Sequence, residues 1–160
     1  MSNLYETYCN DIQNEAWGAY HLALFIQSYN KNSSTKALLI HLFTIMPFIV
    51  NDDLKKLVVN ENYRNKIKNS TSLIRNILNS SSKIGTIQNY IAQYKEYTLV
   101  SFIFAIKLGL ISIDEDTTEL YVCHELPNLS GWSSMVSDRL GYLFSRIDLP
   151  SFYNYIGVYV

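Results

Sequence analysis

Residues 90–122, YIAQYKEYTLVSFIFAIKLGLISIDEDTTELYV, decide the fold. The long apolar run at their start predicts a helix that ends at Gly109, because glycine readily takes the left-handed conformation that closes a helix. Two short runs rich in β-branched and aromatic residues, 110–114 and 119–122, flank a polar turn and predict a β-hairpin. A helix that leads directly into a two-stranded hairpin is how a winged-helix domain presents its third helix and its wing.

The charges on this helix and hairpin do not suit base reading. A winged helix that reads DNA needs cationic side chains there, because they neutralise the phosphates. The predicted helix instead has Lys95, Glu96 and Lys107 among its formal charges, and residues 114–116 of the turn are all acidic. We therefore expect a winged helix adapted to protein contact.

Length and composition indicate one globular domain. The chain has 160 residues, of which 48% are hydrophobic and 17% charged, and it can bury a sizeable core. The predicted fold is mainly α: a winged-helix-like core at about 35–124 with a small β-hairpin, an N-terminal helical extension at 1–34, and a C-terminal helix and tail at 125–160. The apolar run 37–50 is too short to cross about 30 Å of hydrocarbon, so no membrane contact is expected. Two cysteines and no apparent secretion signal favour the cytoplasm.

The remaining helices follow from periodicity and capping residues. The first is expected at about 14–29. A second helix is expected from Ala37, with Pro47 kinking or ending it because proline lacks the amide donor. Asn51 is predicted to cap a third helix at 52–58, and Thr86 to cap the long helix. A short helix at 72–78, a final helix at about 132–147 and a short helix in the tail complete the prediction.

Several strings, in this order and spacing, make the chain similar to the middle component of three-component ABC systems. They are NEA at 14–16, LLIHLFTIMPFIV at 38–50, TSLIRNI at 71–77, YTLVSFIFAIKLGLISID at 97–114 and FYNYIGVYV at 152–160. That family includes the small subunit of Lamassu-type bacterial antiphage defence. The resemblance covers nearly the whole chain, although asparagine-rich loops and the ending VYV depart from the family pattern.

The resemblance implies a non-enzymatic adaptor without a cofactor. Such a subunit would sit with an SMC-like or Rad50-like ABC ATPase and a separate effector, often a nuclease, and would meet DNA only through the complex. Coupling of this kind requires different contacts in two conformational states.

The residue types needed for catalysis or metal binding are present but scattered. Cys9, His21, His41, Cys123 and His124 lack the spacing of a metal site. We expect His41 to be a hydrogen-bonded core or interface residue, Cys123 a small core residue and His124 solvent-facing. The chain's six glycines form no phosphate-binding loop, and the acidic turn lacks the further ligands of a calcium loop, so an enzyme is the least favoured class.

Two surfaces are candidates for partner contact. Residues 54–83 contain seven cationic residues against one acidic residue, while the rest of the chain sums to about −7. This basic segment could be an ordinary solvated face, or it could bind an acidic partner or a phosphate backbone. The aromatic tail would fray unless it docks on the domain or on the ATPase. The basic candidates are Lys55, Lys56, Arg64, Lys66, Lys68, Arg75 and Lys83, and the tail candidates are Phe152, Tyr153, Tyr155 and Tyr159.

Two functions remain open from the sequence. The first is the adaptor subunit. The alternative is a free-standing winged-helix DNA-binding transcriptional regulator, which should shift duplex DNA by itself.

Overall fold

A computed structural model describes residues 14–58, 84–127 and 131–156. It confirms the mainly α fold class with a small β-hairpin. The predicted helix at 72–78 lies outside the described residues. In chain order the described elements are α1 (Glu15–Asn32), β1 (Ala37–Leu38), α2 (Leu39–Val50), α3 (Asp52–Val58), α4 (Ile84–Gln93), α5 (Lys95–Lys107), β2 (Ile111–Ile113), β3 (Glu119–Val122), α6 (Trp132–Phe144) and α7 (Leu149–Ile156).

The predicted hairpin gains a third strand. Strands β2 and β3 pair antiparallel, and β1 joins the other edge of β3, with Ala37 opposite Leu120. The strand order in this part of the chain is β1–β3–β2. The prediction that a helix begins at Ala37 was wrong, because helix α2 begins only at Leu39. Two paired residues inside an apolar run leave no alternation from which a strand could be recognised.

Helix α2 continues past its proline. Pro47 lies inside the helix, which ends at Val50, so of the two outcomes predicted at Pro47, a kink or an end, the end is excluded. A proline inside a helix removes one backbone hydrogen bond. Here Ile45, Met46 and Phe48 around it are fully buried, and their packing offsets that loss. The next predicted boundary is confirmed: Asn51 Oδ1 accepts hydrogen bonds from the amides of residues 53 and 54, at 3.0 and 3.1 Å.

The long apolar helix is divided in two. It begins at Ile84, so Thr86 lies inside α4 and the prediction that it caps the helix was wrong. At Tyr94 the backbone leaves the helical conformation (φ −92°, ψ 4°), and α5 begins at the next residue. Backbone bonding still runs through this point, because the Tyr94 amide bonds the Tyr90 carbonyl at 2.9 Å and the Thr98 amide bonds the Tyr94 carbonyl at 2.8 Å. The predicted glycine stop is confirmed by the positive φ of Gly109, 68°.

Helix α1 lies in the centre of the core, packed closely against α5 on one side and α6 on the other. Glycines permit both close approaches. A Cβ built on Gly18 would lie 2.2 Å from Ser101 Oγ of α5, and one built on Gly141 of α6 would lie 2.5 Å from Ser28 Cβ of α1. The Ser28 hydroxyl also donates to the Asp138 carbonyl at 2.6 Å, which ties α1 to α6 at this crossing. Residues with larger side chains at either glycine would push the helices apart.

The C-terminal segment folds back on the same core. Helix α6 begins at the predicted residue but ends at Phe144, three residues before the predicted end. Asp148 caps the helix predicted in the tail, since its carboxylate accepts from the Ser151 amide at 3.0 Å and from the Ser151 hydroxyl at 2.9 Å. None of the described helices combines the length and the hydropathy needed to cross a bilayer.

We predict that Gly141→Ala destabilises the protein by about 1–3 kcal/mol, because the added methyl group overlaps Ser28 and the Phe25 carbonyl of α1. The measurement is urea unfolding followed by circular dichroism. Asp138→Ala, at an exposed position three residues earlier on α6, is the control and should change the free energy of unfolding by no more than about 0.5 kcal/mol. Equal stability of the two variants would contradict the close crossing.

Candidate protein interface

The outward face of α5 carries large apolar side chains. Thr98, Ser101, Phe102 and Ala105 are buried on the opposite face of this helix. Residues at spacings of three and four share a face of a helix, so Leu99, Ile103 and Ile106 form one stripe, which we call the α5 stripe. Their exposed fractions are 44%, 44% and 40%. The helix is therefore apolar on both sides, whereas an ordinary surface helix would turn a polar face to water.

The only formal charges on α5 are Lys95, Glu96 and Lys107, and all three are exposed. Two cations are few for a helix that reads DNA, because each neutralised phosphate needs a Lys or Arg and a specific site usually has several such contacts. The outward face offers apolar area with mixed charges at its border. This is the composition of a protein-contact surface rather than of a phosphate-contact surface.

The turn between β2 and β3 is an acidic surface. Asp114 has a structural role, because its Oδ1 accepts from the Asp116 and Thr117 amides at 3.0 Å each. These hydrogen bonds hold the pKa of Asp114 below its ordinary value, and the bond from the Thr117 amide contributes most. The carboxylate therefore stays charged. Glu115 and Asp116 are exposed. Within the described ranges no cation forms an ion pair with these three carboxylates, which we call the acidic turn.

Side-chain amides of α1 fix the position of the hairpin. Gln27 uses both ends of its amide on one residue: Nε2 donates to the Leu126 carbonyl at 3.1 Å, and Oε1 accepts from the Leu126 amide at 2.7 Å. Asn30 joins two strands, because Nδ2 donates to the Leu120 carbonyl and Oδ1 accepts from the Ala37 amide, both at 2.9 Å. Helix α1 thus orients the sheet and, through its contact with α5, the stripe.

An open groove of about 370 Å³ lies beside this amide contact, between the end of α1 and the segment after β3. Its lining side chains are of mixed charge. The Lys36 ammonium lies 5.8 Å from the centre of the Tyr121 ring, at the groove wall. The lining residues are Gln27, Asn30, Lys31, Lys36, Tyr121, Val122, His124 and Glu125.

Two residues of the predicted basic patch lie in described parts of the chain, on α3. The Lys55 ammonium is 3.0 Å from Asp52, and only 15% of the Lys55 side chain is exposed. Lys56 is well exposed and lies 3.5 Å from Asp53. Both lysines therefore have a carboxylate neighbour one helical turn away. Arg64, Lys66, Lys68, Arg75 and Lys83 lie outside the described residues, so the patch as a whole stays a prediction.

The aromatic tail docks on the domain at the residues that the structure describes. Phe152 is fully buried, with its ring centre 4.9 Å from that of Phe144 on α6. Tyr153 is half-buried, and its hydroxyl forms a hydrogen bond with the Thr44 hydroxyl of α2. The Phe152 side chain thus belongs to the domain's own core and is not available to a partner. The Tyr155 side chain and Tyr159 lie outside the described residues.

We predict that Phe152→Ala lowers the free energy of unfolding by about 3–5 kcal/mol, because it empties a fully buried site between α6 and α7. Asn154→Ala changes an exposed position on the same helix and should alter stability by no more than about 0.5 kcal/mol. Chemical denaturation measures both. If the two variants unfolded at the same denaturant concentration, the tail would not be part of the core.

His21 and His41 are core residues. His41 is 4% exposed, and its Nδ1 lies 2.8 Å from the Leu38 amide nitrogen, so a neutral ring accepts that hydrogen bond at the start of α2. His21 is also 4% exposed, and its Nδ1 lies 3.0 Å from Ser137 Oγ. The prediction for His41 is confirmed. Burial lowers the pKa of both rings to about 4, assisted at His21 by the charge of Lys55.

Of the predictions for Cys123 and His124, one is confirmed and one is wrong. His124 is exposed, as expected, but Cys123 is also exposed, so the prediction that it is a core residue was wrong. Strand β3 ends at Val122, and the two residues form a bend in which strand alternation no longer applies. In the described ranges no three His, Cys, Asp or Glu side chains come close enough together to hold a metal ion.

We predict that acid weakens the fold through the two buried histidines. Their pKa is about 4 in the folded chain against 6.5 for a free ring, so the unfolded chain binds more protons between these values. The stabilisation is complete above pH 6.5 and is lost as the pH falls towards 4, by up to about 3 kcal/mol per ring. Thermal melts across this range should show it.

His41→Gln keeps an acceptor for the Leu38 amide but cannot titrate, so it should remove about half of this pH dependence. His124→Gln, at an exposed position, is the control and should leave the profile unchanged. A melting temperature that is constant from pH 7 to pH 4 would contradict the burial of the rings.

The sequence indicated the α5 surface only in part. The apolar content of residues 97–108 and the acidic turn were visible, but not which apolar side chains remain exposed. The available signal was that apolar residues occupy positions all around the predicted helix, more than one buried face requires.

The described residues thus form a mainly α domain that presents an apolar helix face next to an acidic hairpin. The chain belongs to the ABC-three component (ABC-3C) system Middle Component 3 family, MC3, whose model matches residues 2–160. This confirms the resemblance found in the sequence and makes the chain one component of a system that has other components. No curated protein and no solved structure matches the chain.

Proposed function

We propose that this chain is a non-catalytic adaptor subunit of a bacterial antiphage defence complex of the Lamassu type, acting in the cytoplasm. It links an SMC-like ABC ATPase to an effector such as a nuclease. Membership in the MC3 family supports the presence of partner components. The observation that carries the adaptor role is the α5 stripe, because a surface helix ordinarily turns polar side chains to water, and a row of large apolar side chains in that place suits contact with another protein.

The order of the elements supports a winged-helix-like architecture. A helix, a short strand, further helices and then a hairpin that pairs with the short strand follow one another in α1, β1, α2–α5 and β2–β3. The central position of β3 between β1 and β2 fits this arrangement. In such a domain α5 takes the place of the helix that DNA-binding relatives insert in the major groove, and the acidic turn takes the place of the wing tip.

The charges in those two places favour an adaptor over a DNA-binding regulator. Exposed Leu99 and Ile103 would have to lie against a polyanion without forming hydrogen bonds, and the carboxylates of the acidic turn would repel it. The adaptor instead meets DNA only through the larger complex. It acts by contacts that differ between the conformational states of the ATPase, and not by chemistry of its own.

We predict that co-expression with the neighbouring genes yields a stable assembly that contains the ABC ATPase, because the exposed apolar face needs a partner. Affinity purification followed by size-exclusion chromatography measures this. The purified chain alone should not shift duplex DNA at moderate salt. If the chain purified without the ATPase and bound a specific operator by itself, the result would support the alternative function, a DNA-binding transcriptional regulator.

A further inference from the structure

We infer that the α5 stripe and the acidic turn together form the surface that binds the ABC ATPase component. The matching segment of the ATPase has an apolar ridge flanked by lysine or arginine. This inference rests on the proposed function and adds to it the site on this chain and the chemistry of its partner.

The apolar part of the surface has the arrangement of a helix-binding ridge. Leu99, Ile103 and Ile106 follow one another at spacings of four and three residues, which aligns them along one side of α5. Each is 40–44% exposed in the described structure, and Leu108, which directly follows α5, is 53% exposed. An amphipathic partner helix recognises such a ridge through its own side chains at the same spacings.

The charged part of the surface determines which charge the partner's contact surface carries. The turn between β2 and β3 carries Asp114, Glu115 and Asp116, and in the described ranges no cation pairs with them. Complementary charge on a partner speeds encounter and excludes partners of the same sign. The segment that meets this turn therefore carries lysine or arginine beside its apolar ridge.

The two parts are close enough for one partner to reach both. Helix α5 ends at Lys107, and β2 begins at Ile111, after the glycine turn at residue 109. A strand of three residues is only about 10 Å long, so the acidic turn lies about that far from the point where the hairpin starts. A standard interface covers about 800 Å² on each partner, or roughly 30 Å across, which is wide enough to include both Ile106 near the end of α5 and the acidic turn.

A second copy of this chain is a poorer occupant than the ATPase. Three side chains that are each 40–44% exposed leave at most a few hundred Å² of apolar surface, no more than the largest such patch on an ordinary monomer. Obligate homodimers bury about 2,000 Å² or more in all, and their interfaces resemble a hydrophobic core cut in half. The carboxylates of the acidic turn need a basic partner surface. On a second copy, the charges of α5 are mixed, and Lys55 and Lys56, the described cations of the basic segment, each already lie beside a carboxylate of their own helix. The stripe therefore supplies the apolar centre of an interface with a different protein.

The experiment measures binding of the full-length chain to the co-expressed, purified ATPase component. Ile103→Glu places a charge in the centre of the ridge, and the dissociation constant should rise at least about 10-fold. The control is Met135→Glu, which introduces the same charge at a position of nearly equal exposure, 45%, on α6. This control should bind like the unaltered chain.

The double variant Glu115→Lys, Asp116→Lys examines the charge. It should slow association several-fold and reduce the sensitivity of binding to salt, because the attraction between turn and partner is lost. The double variant Glu125→Lys, Asp138→Lys makes the same change in net charge at exposed positions elsewhere and should leave the rate nearly unchanged.

The outcomes separate this inference from the proposed function. If the unaltered chain does not bind the ATPase, the proposed function fails, and this inference fails with it. If the unaltered chain binds and Ile103→Glu binds equally well, only this inference is overturned. A melting temperature lowered by Ile103→Glu, or a dimer that this variant abolishes, would also overturn it, because the stripe would then be covered by the chain itself or by a second copy. Leu99→Glu repeats each measurement at a second position of the stripe.

Discussion

The close packing of helix α1 between α5 and α6 is the constraint on which the rest of the structure depends. Helix α1 meets α5 at Gly18 and α6 at Gly141, where neither side has room for a methyl group. Its polar side chains then position the sheet: Gln27 holds the backbone of Leu126, and Asn30 holds β1 and β3. Helix α1 thus organises both the helical core and the sheet. The surface of α5 is presented in one orientation because its inner face is fixed in this way.

The parts of the fold with strong local signals could be predicted from the sequence. The capping residue Asn51, the glycine stop at Gly109 and the hairpin each have a local physical cause, and all were found. The failures depended on distant contacts. Ala37 is a strand residue because β3 lies beside it, and α2 passes through Pro47 because its neighbours are packed on all sides. Neither contact can be predicted from the neighbouring residues in the sequence, since tertiary packing overrides local preference.

The candidate site could be predicted less completely than the fold. Charge is a property of the sequence, so the acidic turn and the small number of cations on α5 were evident. Exposure is a property of packing, and it decided the outcome for individual residues: Phe152 became a core residue, whereas Cys123 and Ile103 remained at the surface. The residue type alone does not show whether an aromatic or aliphatic side chain lies in a core or in an interface. For that reason the aromatic tail was predicted as a candidate partner surface, although Phe152 is buried in the domain's own core.

The two glycine crossings also restrict how relatives of this chain can diverge. Space at each crossing is shared between a glycine and a serine of the facing helix, Gly18 with Ser101 and Gly141 with Ser28. A homologue that enlarges one member of a pair has to shrink the other or move a whole helix. Related chains should therefore exchange these residues in a correlated way, and such covariation would mark the two crossings in an alignment even where overall identity is low.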